Sequence, residues 1–162
     1  MGRIYTVPFQ GTITAAGGDA DLFEIGPADD KPCKLRGFTL GQTSEVGDAA
    51  EEGLRVSVVR LSGTVTSGSG GSSITPVPID SGDAAAGFSA EGGNSTVATQ
   101  SGGATTVVEE LAWNERMSPY PHFYPDAPFS PKVKQGELLV VRMQTTPGDD
   151  FSFAGTAFVE EE

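Results

Sequence analysis

At 162 residues the chain has one domain's length and enough mass to bury a core without metal or disulfide support. A formal net charge of −12 opposes direct contact with nucleic acid or with an anionic membrane surface, both of which require basic stripes. Hydrophobic residues at 37% favour folding over disorder, while charged residues at 20% leave Gly, Ser and Thr to cover much of the surface, which suits short strands joined by turns.

Period-two alternation is the dominant signal along the chain. Tyr5, Val7, Phe9 and Ile13 share one face of the first segment, although residues 1–9 also read as a candidate N-terminal arm. Phe23 and Ile25 share a face next, then Phe38 and Leu40. In GLRVSVVRLS, Leu54, Val56 and Val58 face one way while Arg55 and Ser57 face the other, the pattern of a half-buried strand. Residues 64–80 hold a Gly/Ser tract and two prolines and read as a long loop, whose partial removal (residues 67–73) should leave folding nearly intact.

TTVVEELAWNERM also admits a short helix, but it opens on β-branched residues and is assigned to a strand with Val107, Leu111 and Trp113 on one face. Glu109 then falls among those apolar positions. SPYPHFYPDAPFSPK, residues 118–132, is too rich in proline for a central strand and should lie extended on a surface. Leu139, Val141 and Met143 line one face of a late strand. Phe151, Phe153, Ala157 and Val159 line one face of the last. TPGDD between them is a turn signal, and the pair reads as a terminal β-hairpin. The sum is a single all-β domain over residues 1–162. It is expected to be a β-sandwich with jelly roll as the leading topology, carrying long Gly/Ser- and Pro-rich loops.

Chemistry-bearing residues are sparse. The one cysteine, Cys33, excludes an intrachain disulfide and reads as a small buried hydrophobe. The first ten residues, MGRIYTVPFQ, hold no apolar h-region, so no signal peptide is expected, and no apolar run reaches membrane-span length. The one histidine, His122, is too solitary for an imidazole metal centre. Carboxylates occur in pairs such as Asp29 and Asp30, Glu45 and Asp48, Glu51 and Glu52, and Asp149 and Asp150, but nothing places two in one cleft. SEVGDAAEEG lacks the ligand alternation of a calcium loop and reads as solvated. No catalytic residue, cofactor or metal is expected. Tyr5 and Phe9 on the candidate arm, and Tyr120, His122, Phe123, Tyr124 and Phe129 in the proline-rich stretch, are the candidate interface residues, because aromatics held extended suit contact surfaces; packing of the proline-rich aromatics back onto their own domain is the competing reading. Trp113 is a core anchor or a sugar-stacking platform.

The pieces DLFEI at 21–25, LRGFTLGQTSEVGDAAEEGLRVSVVRL at 35–61, TSGSGGSSITPVPID at 66–80, AWN at 112–114, GELLVVRM at 136–143 and the closing FAGTAFVEE cover most of the chain. In that order they resemble a family of small virion proteins of tailed bacteriophages and prophages. The resemblance implies a capsid decoration (cement) protein that is not an enzyme. Such a protein is often a trimer, binds the major capsid protein on the outside of the head and is assembled in the host cytoplasm. The alternatives are a tail-associated virion protein and a carbohydrate-binding or adhesin module.

Overall fold

A computed structural model describes residues 2–44, 52–117 and 119–162. Its strands in chain order are β1 (Arg3–Ile13), β2 (Ala20–Gly26), β3 (Cys33–Gln42), β4 (Gly53–Leu61), β5 (Thr64–Thr66), β6 (Ser72–Ile74) and β7 (Val77–Pro78). They continue with β8 (Ser89–Asn94), β9 (Thr99–Ser101), β10 (Thr105–Asn114), β11 (Tyr120–Phe123), β12 (Lys132–Val133), β13 (Leu138–Met143) and β14 (Phe151–Glu161). Among the described residues the one helical element is the 3-10 turn Ala127–Phe129. Two six-stranded antiparallel sheets form a sandwich. The first runs β11-β3-β14-β1-β7 with β12 also on β3, and the second runs β10-β4-β13-β2-β8-β6.

The expected alternation builds the core. Tyr5, Val7, Phe9, Phe38, Leu40, Phe153 and Val159 of the first sheet meet Phe23, Ile25, Leu54, Val56, Val141 and Trp113 of the second. Phe9 stacks on Phe23 at 5.0 Å between ring centres, and Phe23 meets Phe38 edge-on at 6.1 Å. Gly155 interrupts the apolar face of β14 because the Phe9 ring fills its place; a Cβ there would lie 2.4 Å from Phe9 Cζ.

Four expectations are corrected. Residues 1–9 are no free arm: β1 pairs with β14 from Arg3↔Glu161 to Ile13↔Phe151. The C-terminal strands are no hairpin. β2 and β4 occupy both edges of β13, so residues 144–150 carry the chain across to the other sheet, where β14 lies between β1 and β3. Val107 does not share the face of Leu111 and Trp113: a bulge at Val108 leaves Val107 44% exposed.

Residues 64–80 are no passive loop. They contain β5, β6 and β7, and Ser69 bridges Thr96 in both directions. The β5–β9 ribbon brings Val65 over a second small core on the outer face of the second sheet, made by Val59, Leu61, Ala98, Leu138 and Val140. That cover explains why β13 is buried along its whole length.

Candidate contact site

β11 is the edge strand of the first sheet, paired with β3 from Tyr120↔Leu40 to Phe123↔Gly37. Pro121 is tolerated there because an edge strand leaves one row of backbone groups without a ladder partner. Alternation turns Tyr120 and His122 toward the interior and Phe123 outward. Phe123 is 51% exposed and rests on Phe158 of β14, ring centres 5.4 Å apart. Phe129, in the 3-10 turn that follows, is 67% exposed. Tyr120 and Tyr124 are half-buried against the core. Of the candidate interface residues, Phe123 and Phe129 are therefore the apolar groups presented outward. Tyr5 and Phe9 are corrected: both are buried in the core, where Tyr5 donates its hydroxyl to Ala84 O at 3.0 Å. Their positions on β1 point inward, so they offer no surface.

Behind this edge lies a polar cluster that joins the two sheets. Glu109 sits on the inner face of β10 because the bulge restores it opposite Val58. One of its carboxylate oxygens accepts the Tyr124 hydroxyl at 2.6 Å and lies 3.1 Å from His122 Nε2. The His122 ring packs on Phe38 at 5.5 Å and edge-on to Tyr124 at 5.0 Å. Burial, then the bond to Glu109 and its charge, pushes the Tyr124 phenol well above its usual range. The odd glutamate in an apolar face was the sequence signal for this cluster; its partners, in another sheet, were not legible.

A second polar cluster covers the outer face of β2. Arg142 donates to Asp21 through Nε at 2.6 Å and Nη2 at 3.1 Å, and to Ala98 O at 2.9 Å. Ala98 N closes the ring onto Asp21 at 2.6 Å. Beside it, Glu24 and Glu91 are directly cross-strand. Glu24 is 3% exposed and accepts the Ser67 hydroxyl and, at 3.0 Å, Gly68 N. Burial raises its carboxyl, the two hydrogen bonds oppose this, and Glu91 and Asp21 add to the rise.

The remaining chemical candidates are dispersed. Cys33 is fully buried and its thiol is pushed up to about 12, first by burial and then by Glu161 and Glu162, which suppresses the thiolate. Trp113 is 1% exposed, donates to Met117 O at 3.1 Å and meets Phe151 edge-on, so it is no sugar platform. Glu52 receives Gly148 N and Asp150 receives Ala15 N, as loop ties. Glu45, Asp48 and Glu51, and most of SEVGDAAEEG, lie outside the described residues.

A groove of 1040 Å³ runs beside β1 and β14. Gln10, Thr12, Thr43, Ser72 and Ser152 are among its lining, which includes no ionisable side chain. Among the described residues no three His, Cys, Asp or Glu side chains converge as metal ligands, and no helix is long and apolar enough to cross a membrane. No protein family, no curated protein and no solved structure matches the chain.

Proposed function

We propose that the protein is a bacteriophage virion structural protein, a capsid decoration (cement) protein that binds the major capsid protein on the outside of the head and stabilises it. The observation that carries this reading is the proline-braced edge β11, with Phe123 and Phe129 held outward on a rigid support. Exposed aromatics on a pre-ordered segment lose little entropy on docking and suit the centre of a protein interface. On a lattice of identical capsid subunits, modest single contacts of an oligomer add through avidity. The surplus negative charge then faces solvent and limits self-association away from the shell.

The strand order supports the jelly-roll reading. The long strands alternate between sheets as β1, β2, β3, β4 and then β10, β11, β13, β14, with β1-β14-β3-β11 in one sheet and β2-β13-β4-β10 in the other. A trimer is the expected oligomer.

Co-sedimentation with matching capsids that lack the protein tests the reading. Saturation at a fixed, symmetry-related copy number supports decoration. Absence of binding to heads, with binding to purified tails, moves the protein to the tail. The hydroxyl- and amide-lined groove beside β1 favours a second reading, a carbohydrate-binding module, which saturable glycan binding lost on Gln10→Ala would support.

A further inference from the structure

We infer that residues 8–13 of β1 form an open slot that takes up an extended, uncharged segment of the capsid protein as an added strand of the first sheet. The identity of the partner rests on the head-binding reading above; the slot itself rests on backbone pairing. β1 is paired with β14 along its whole length, but on its other side β7 covers only Tyr5 and Thr6. Just before β7 the chain lies in the other sheet as β6, which ends at Ile74. No strand therefore continues β7 alongside the rest of β1.

The hydrogen bonds fix which groups stay open. In an antiparallel ladder the N–H and C=O of one residue point to the same edge, and successive residues alternate. Ile4 O accepts Ile79 N at 3.0 Å, so the even-numbered residues of β1 face away from β14. The other end agrees. Ser152 O accepts Thr43 N at 2.8 Å, which turns Ser152 toward β3 and leaves Thr12, opposite it, facing away from β14. Pro8 has no N–H to offer, but Gln10 and Thr12 each present an N–H and a C=O without a ladder partner. Gly93, at φ +72°, leaves Gln10 O uncapped; a Cβ there would lie 2.8 Å from it.

This edge opens onto the 1040 Å³ groove, whose far wall is β6, the last strand of the second sheet. Gly92 joins the two walls: a Cβ on it would lie 2.8 Å from Ile74 Cδ1 and 3.0 Å from Phe9 Cβ. Open edges are ordinarily guarded by charge or cover. Here no ionisable side chain lines the groove, although charged residues make up 20% of the chain. An uncharged segment enters without stripping water from a charge. Two main-chain donor–acceptor pairs, about 7 Å apart on one edge, match the repeat of an extended polypeptide. A sugar would use the side-chain hydroxyls and amide instead.

Hydrogen exchange resolved to single amides tests the slot, first on the free protein and then on protein bound to capsids that lack it. In the free protein Gln10 and Thr12 should exchange faster than Phe9 and Gly11, which face β14. On capsids both should slow by about tenfold or more. Gln10→Pro removes one edge N–H and spares the β14 ladder, as Pro8 already does two residues earlier. It should keep its melt and weaken capsid binding by about tenfold or more. Gln10→Ala keeps the N–H and should bind more tightly than Gln10→Pro. Thr12→Pro is the second variant should Gln10→Pro lose its cooperative melt. Capsid binding with unchanged exchange at Gln10 and Thr12 overturns the slot and leaves decoration standing. Slow exchange of both amides already in the free protein does the same. Glycan binding abolished equally by Gln10→Ala and Gln10→Pro assigns the groove to sugar and overturns the slot. Failure of the wild type to bind capsids overturns the head-binding reading and the slot with it.

Discussion

The Tyr124 hydroxyl, just beyond the edge strand of one sheet, donates to the Glu109 carboxylate on the edge strand of the other at 2.6 Å, with His122 Nε2 3.1 Å from the same oxygen. This contact closes one open side of the sandwich with polar groups, where the apolar core would otherwise reach solvent between β10 and β11.

Glu109→Ala removes the shared acceptor and leaves the Tyr124 hydroxyl half-buried without a partner. A loss of about 1–3 kcal/mol in denaturant unfolding is expected. Glu109→Gln keeps an acceptor and should lose less. Equal stability of Glu109→Ala and wild type would show that the latch contributes nothing.

The raised Tyr124 phenol adds an alkaline signature. The folded state holds this proton more tightly than the unfolded chain, so the contribution is complete below the ordinary tyrosine value of about 10 and is lost as pH rises beyond it. Melting temperature should fall in that alkaline range, and Tyr124→Phe should flatten the fall. Parallel curves for the two proteins would rule the group out as its source.

Glu24 behaves similarly at lower pH. Burial raises its carboxyl, so its contribution is complete below the ordinary carboxyl range and is lost as pH rises through the folded value. Glu24→Gln should therefore melt higher than wild type at neutral pH, with the gap closing in acid.

Deletion of residues 67–73 should cost stability. It removes Ser67 and Gly68 from the buried Glu24, the Ser69–Thr96 bridge and most of β6. A buried acid without these donors costs about 1–3 kcal/mol for each lost charged bond. A melt coincident with wild type would mean that the segment is dispensable. Val56→Asp is the severe counterpart: Val56 is 1% exposed, and burying an unpaired charge should cost more than about 4 kcal/mol and abolish the cooperative transition.

Phe123→Ser and Phe129→Ser should leave the melting temperature nearly unchanged, because both rings are largely exposed. Co-sedimentation with capsids should weaken in each and fail in the double variant. Full binding by the double variant would place the contact surface elsewhere.

The sequence by itself determined the fold class and the faces of the main strands. Side-chain direction alternates strictly along a strand, so the spacing of Tyr5, Val7 and Phe9, or of Leu54, Val56 and Val58, marks the buried side with no knowledge of neighbours. Pro121 likewise confined its segment to an edge. Tertiary structure alone decided which strands pair. TPGDD reads as a turn whether the chain folds back within a sheet or crosses to the other, so the supposed hairpin of β13 and β14 was undecidable locally. The same holds for Tyr5 and Phe9, which pattern alone leaves equally fit for a core or an arm; pairing of β1 with β14 along its length settles the choice. The polar clusters depended on the fold most of all. Glu24, Ser67, Glu91 and Asn94, or Glu109, His122 and Tyr124, meet through ladder register and a bulge, and long-range pairing leaves no local trace in the chain.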